Sequence, residues 1–367
     1  MAVFRIMADF HIPTTRIDQL FEKISTLIEQ SRHVVAKTVK AAEVCAKYEI
    51  GRYIVEYEQG GATRAAYGKA LLKDLSQRLT DSYGDGWSVE TLTACRKFFN
   101  VYSKIVNTVH EIETQQLDEA KTDLWQMPKF TLSWSHYLVL MRVENPEARS
   151  FYEIECAQQD WSVRQLKRQV GSSLYERLAL SRDKEDVLRL AHEGQTIEKS
   201  SDIIKNPITL EFLGLKPDAS YSESKLENAI IDKMQQFLLE LGKGFLFEAR
   251  QKRFTFDERN FYVDLVFYNR LLQCYVLIDL KTGDLTHQDL GQMQMYVNYY
   301  DRYVKLDFEK PTVGILMCEE KSNALVELTL PKDANIYASQ YQLYLPDKNL
   351  LQSKLHQWIN EFKQQDQ

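Results

Sequence analysis

The chain reads as an α-helical N-terminal half joined to an α/β C-terminal half. From about residue 14 to 180, apolar residues recur at spacings of three and four, the period of amphipathic helices. After residue 222 one helical stretch gives way to short apolar runs of strand length. Two of those runs carry charge, Tyr262-Val263-Asp264-Leu265-Val266-Phe267-Tyr268 and Tyr275-Val276-Leu277-Ile278-Asp279-Leu280-Lys281.

The helical half begins with Ile17, Leu20, Phe21, Ile24, Leu27 and Ile28 and continues through Leu71, Leu72, Leu75 and Leu79. Within it, Trp-Ser-Val-x-x-Leu occurs twice, at Trp87 to Leu92 and at Trp161 to Leu166, each with Ser at an expected N-cap. In the second copy Gln165 completes a capping box. A helix, a tight turn such as Tyr83-Gly84-Asp85-Gly86 and a capped helix follow the order of a helix-turn-helix. The second helices carry Arg96 and Lys97, and then Arg164, Lys167 and Arg168, spaced to contact phosphates from one face. Helix, turn, helix is also the commonest way to build an α-helical domain, so DNA binding, partner binding and scaffolding stay open. Residues 181 to 222 are polar and broken by Asn206-Pro207 and Lys216-Pro217. The expected division is therefore a helical domain over 1–185 and a second domain over 200–367.

In the second domain a helix starts after Ser222 or Ser224 and runs through Leu226, Ile230, Met234, Phe237, Leu238 and Leu241 to Gly242. Strands are expected at about 245–256, 261–268 and 274–281, a helix at about 287–302, a strand at 312–317 and an amphipathic tail at 350–362. Side chains alternate along a strand, so Asp279 and Lys281 share one face. A chain reversal near Leu271 and Leu272 puts Asp264 opposite Asp279, with side chains about 5 Å apart. Buried carboxylates demand a partner or a cation, because an unpaired buried charge costs several kcal/mol or more. Two aspartates and a lysine in one hairpin therefore predict a cation site. Glu227, on the preceding helix, leans toward Asp264; Gln292 and Tyr296, four apart, share a face of the later helix.

Composition sets bounds. The 367 residues are 44% hydrophobic and 27% charged, enough for two cores in an ordinary soluble protein. Cys45, Cys95, Cys156, Cys274 and Cys318 show no zinc spacing, and there is no secretory signal or long uncharged apolar run, so a cytoplasmic protein with reduced thiols and no membrane segment is expected. A formal net charge of −6 excludes a uniformly basic nucleic-acid coat and leaves local patches. Arg250, Lys252 and Arg253, leading into the charged hairpin, form one such patch.

Asp264 followed by Asp279-Leu280-Lys281 resembles the PD-(D/E)xK signature of metal-dependent nucleases. Glu227 and Gln292-x-x-x-Tyr296 are placed as in its resolvase-like branch. The likeness extends over nearly the whole chain to the YhcG-like family of bacterial proteins. It is carried by Tyr67-Gly68-Lys69 with Leu71, Gly86-Trp87-Ser88, Leu132 to Tyr137, Phe237 to Gly242, Asp264 to Tyr268 and Gly291-Gln292-Met293. Two departures stand out: Val263 replaces the signature proline, and position 279 is Asp where many relatives have Glu.

The resemblance implies a restriction-endonuclease-like α/β core and hydrolysis of DNA phosphodiester bonds, with RNA open, in phage defence, restriction or mobile-element biology. It implies Asp264, Asp279, the carbonyl of Leu280 and Glu227 as metal ligands. An oxygen-only ligand set selects Mg²⁺, with Mn²⁺ as substitute. Lys281 would position water or stabilise the transition state, and Gln292 with Tyr296 would orient Lys281 or the substrate. A homodimer, or a partner subunit on the helical domain, fits double-strand cleavage. The alternative is a silent DNA-binding or scaffold protein, against which the presence of Asp264, Asp279 and Lys281 together speaks.

Overall fold

The computed structural model describes residues 39–58, 65–113, 130–180, 184–205, 207–216, 221–320, 323–331, 334–353 and 355. The helix expected from Ile17 to Ile28 and most of the tail at 350–362 lie outside these residues. The chain divides into two compact units, Met1–Arg142 and Val143–Gln367.

In the first unit, α1 (39–58), α2 (Ala65–Tyr83), α3 (Val89–Glu113) and α4 (Trp134–Leu140) enclose a core rich in rings. Phe98 sits at its centre, within 4.9–5.9 Å of Tyr48, Tyr102, Phe130, Trp134 and Tyr137. Gly51 permits the close crossing of α1 and α3, since a Cβ there would lie 2.1 Å from the carbonyl oxygen of Cys95. Arg96 of α3 is paired with Glu58 of α1 at 2.8 Å.

The second unit opens with α5 (Pro146–Gln158), α6 (Val163–Gly171), α7 (Leu174–Ala179) and α8 (Lys184–Glu193). Ser162 and Gln165 form the capping box read from the sequence. The sheet comprises β1 (Ile208–Thr209), β2 (Phe245–Phe256), β3 (Arg259–Asn269), β4 (Cys274–Leu280), β5 (Val313–Cys318) and β6 (Ile336–Gln342), in the order β1-β6-β5-β4-β3-β2. β2, β3 and β4 form an antiparallel meander, and β4, β5, β6 and β1 run parallel.

Both faces of the sheet are covered, which explains the continuous apolar runs of β4 and β5. One face packs on α9 (Glu223–Asp232) and α10 (Met234–Leu241) through Leu226, Ile230, Phe237 and Leu241. The other packs on α11 (His287–Tyr303) and α12 (Asn323–Thr329). The single helix expected after Ser222 is two, because Lys233 leaves the helical well at φ −117°, ψ 30°; Ser222 is its N-cap, accepting from Lys225 N at 3.3 Å. β6 escapes sequence reading because Ile-Tyr-Ala-Ser-Gln-Tyr-Gln mixes buried polar and apolar residues.

A buried charge cluster fastens α6 and α7 to the sheet. Glu240 is 0% exposed; its oxygens receive Arg177 at 2.6 Å, Thr209 N at 2.9 Å and Arg168 at 3.1 Å. Lys205 donates to its backbone carbonyl. Burial works against the Glu240 charge, but Arg177, Lys205 and Arg168 overcome it and hold the carboxyl at about 2. Burial also brings Lys205 down to about 8.

Candidate active site

β3 and β4 reverse at Arg270–Gln273, and the register pairs Leu265 with Ile278. Continued by one residue, that register sets Asp264 opposite Asp279, as the hairpin reading requires. At this point the Asp264 carboxylate takes over a ladder partner, with Leu280 N donating to its Oδ2 at 2.8 Å. Lys281, whose N–H bonds to the Met317 carbonyl at 2.8 Å, extends β4 by one residue and stays anchored to β5.

Asp279 is 3% exposed, and its Oδ2 lies 2.7 Å from Lys281 Nζ. That contact pairs the two charges, and no backbone N–H reaches Oδ2. Burial, followed by repulsion from Asp264, lifts the Asp279 carboxyl to about 7 in spite of Lys281. For Lys281, burial pulls the ammonium downward; Asp279, Glu223 and Asp264 outweigh it and hold its pKa above the ordinary lysine value. Glu223 and Asp289 carboxylates each approach Nζ to 3.9 Å.

Glu227 is 4% exposed and reaches the site from α9. It pairs with Arg250, which also donates to Asn228 at 2.8 Å. Gln251 lies between Arg250 and Lys252, which pair with Leu265 and Val263, and so faces Asp264 across the ladder. Its amide donates to Glu227 Oε2 at 2.6 Å and to Asp264 Oδ1 at 2.9 Å. On α11, Gln292 donates to the Tyr296 hydroxyl. Burial raises the Tyr296 phenol against the lowering hydrogen bond from Gln292, and the charges of Asp279 and Asp264 add to the rise. The helix is seated by Met293 against Gly314 of β5, where a Cβ would lie 2.7 Å from the Met293 side chain.

Glu227, Asp264, Asp279 and Lys281 thus gather at one end of the sheet, with Gln292 and Tyr296 paired on α11. The basic residues separate. Arg168 is corrected from phosphate contact to structural residue, because Glu211, Glu240 and the Thr209 carbonyl occupy its guanidinium. Arg250 is likewise engaged with Glu227. Arg164 and Lys167 are exposed; Lys252 lies 3.8 Å from Glu248, and Arg253 donates to Asn260 at 3.1 Å.

Sequence reading missed Gln251, Glu223 and Asp289. The spacing of Glu223 to Glu227, one helical turn, was a usable signal, as was Thr286-x-x-Asp289, which forms a capping box at the start of α11. Gln251 had no signal.

The donor set fits a hard divalent cation. It offers carboxylate oxygens without His or Cys, and its most buried carboxylate, Asp279, meets one ammonium amid the Asp264 and Glu223 carboxylates. Among the described residues no three His, Cys, Asp or Glu side chains form a ready cage. The two strand aspartates are the share of ligands that Mg²⁺ commonly takes from protein, water and phosphate filling the rest.

A mixed sheet carrying this carboxylate and lysine set defines a restriction-endonuclease-like fold of the PD-(D/E)xK class. Residues 201–356 match the YhcG PDDEXK nuclease domain, and residues 23–177 match the DUF1016 N-terminal domain. The chain is 37% identical over 357 residues to "Putative nuclease YhcG" of Escherichia coli (strain K12), covering 93% of this chain and 94% of that protein. It belongs to the YhcG family of PDDEXK nucleases. Among solved structures, a repair endonuclease from Pyrococcus abyssi aligns at 19% identity over 35% of this chain and 50% of that one, with a TM-score of 0.25. An EndoMS complex with double-stranded DNA aligns at 16% over 36% and 49%, with a TM-score of 0.26. No described helix is long and apolar enough to cross a membrane.

Proposed function

We propose that this chain is a DNA endonuclease dependent on a divalent cation, Mg²⁺ with Mn²⁺ as substitute. It would work in the cytoplasm in phage defence, restriction or mobile-element biology. The observation that carries this reading is the facing pair Asp264 and Asp279, with Lys281 beside the buried Asp279 oxygen at 2.7 Å. Asp264, Asp279 and the Leu280 carbonyl are the residues to hold the cation, and Glu227 is the residue to hold a second. When bound, the cation supplies positive charge at the scissile phosphate and lowers the pKa of water.

The remaining work falls to the chain. Lys281, kept charged by the carboxylates around it, is placed to hold the attacking water and to meet charge building on the phosphoryl oxygens. The Gln292–Tyr296 pair orients that group or the substrate backbone. Lys252 and Arg253 on the exposed edge strand, with Arg164 and Lys167 on α6, supply phosphate contacts. The helical first unit selects substrate or a partner subunit, and cleavage of both strands calls for two copies.

The test is incubation of the full chain with supercoiled, linear and branched DNA, and with RNA, in Mg²⁺ or Mn²⁺. Cation-dependent cutting of DNA that disappears in Asp264→Ala and Lys281→Ala is the expected result. Cutting that survives both substitutions, or none on any substrate, overturns the reading.

A further inference from the structure

Gln251 is conspicuous in its backbone and in its contacts. Among the described residues, six other than glycine have positive φ: Asp160, Ser173, Gln251, Asp257, Glu258 and Gln273. Five lie in turns or at helix starts, and only Gln251, at φ 46°, lies inside a strand. A strand residue held in the left-handed region persists only where its surroundings over-determine it. Here the surroundings are the Glu227 and Asp264 carboxylates, bridged by one amide nitrogen at 2.6 and 2.9 Å.

The amide stands where a cation shared by these carboxylates would neutralise them. An N–H donor aimed at an arriving cation is repulsive, whereas the carbonyl oxygen of the same side chain is a hard ligand. The terminal torsion of glutamine is broad and roughly two-fold, so exchanging nitrogen for oxygen requires no backbone change. Resting on the nuclease reading above, we propose that Gln251 is a positioning residue for the cation site. Its Nε2 ties Glu227 to Asp264 before a cation arrives, and its Oε1 faces the cation afterwards.

The experiment is calorimetric titration of the full chain with Mn²⁺, without substrate, for the unsubstituted protein, Gln251→Gly, Gln251→Glu and Asp264→Ala. Glycine suits the positive φ, so Gln251→Gly keeps the backbone conformation and removes the side chain with its amide. Its Mn²⁺ affinity is expected to fall about tenfold or more, the loss common when a supporting group of a metal site is removed. Gln251→Glu, which presents oxygen in place of the amide, is expected to bind at least as tightly as the unsubstituted chain. It should also melt lower without Mn²⁺, through carboxylate crowding, and recover when Mn²⁺ is added. Unchanged affinity in Gln251→Gly, or equal weakening in Gln251→Glu, overturns the role of Gln251 while leaving the site intact. Absence of Mn²⁺ binding in the unsubstituted chain overturns the cation site itself, and this inference with it.

Discussion

Glu240 and Asp279 are both buried carboxylates of the second unit, and the fold treats them in opposite ways. Around Glu240, two guanidiniums, an ammonium and a backbone N–H converge, and the carboxyl is held down at about 2. Around Asp279 the balance is reversed. Asp264, Glu223, Glu227 and Asp289 crowd a region with Lys281 and Arg250 as cations, and the Asp279 carboxyl is lifted to about 7. A matched cluster holds elements together. A cluster with surplus negative charge has room for a positive ligand.

The contrast can be broken most directly at Glu240. Glu240→Ala leaves Arg177 buried without its carboxylate and is expected to cost about 3–5 kcal/mol in urea unfolding. A loss under ~1 kcal/mol, the size of a surface pair, would remove the structural role.

The helix α6 tests the same distinction over a few residues. Arg168→Ala should cost about 1.5–3 kcal/mol through its lost charged hydrogen bonds. Arg164→Ala and Lys167→Ala should each stay within about 0.5 kcal/mol. If the proposed phosphate contacts are made, those two substitutions each lower the salt dependence of DNA binding by about one unit, measured by titration at several salt concentrations.

At the site the sign reverses. Asp279→Asn removes the surplus charge, so the cation-free protein should melt about 2–4 °C higher at pH 8, corresponding to ~1 kcal/mol in a unit of this size. Mn²⁺ binding should be lost. A lower melting temperature would mean that the ionised carboxylate stabilises the fold.

The smallest effect is on pH dependence. The Asp279 pKa is raised on folding, so ionisation disfavours the folded state. Its share of stability is complete below the ordinary aspartate range near pH 4 and is lost as pH rises to about 7. The melting difference between Asp279→Asn and the unsubstituted chain should therefore be near zero at pH 4, grow through that window and level off above it. Glu240 runs the other way: its contribution is present above the ordinary glutamate range and is lost as pH falls toward about 2.

The core of the site was legible because strand geometry is local. Period-two alternation and a reversal near residue 271 suffice to bring Asp264 to Asp279, and helical spacing suffices for Gln292 and Tyr296. Gln251 was not legible, because nothing in Arg-Gln-Lys marks a left-handed residue in a strand. Arg168 misled for a related reason: a basic helix face looks the same whether phosphate or a distant glutamate lies opposite.

The sequence by itself determined the helical first half, the β2–β3–β4 meander, the cap at Ser162 and the aspartate pair, since each follows from contacts a few residues apart or from one hairpin. Tertiary structure alone decided that α5 to α8 pack in one unit with the sheet. It also decided that Arg168 and Arg177 close on Glu240, and that Gln251 bridges Glu227 and Asp264. Arg168 and Glu240, for one, are 72 positions apart, where the free energy of burying charge together, and no local periodicity, selects the partner.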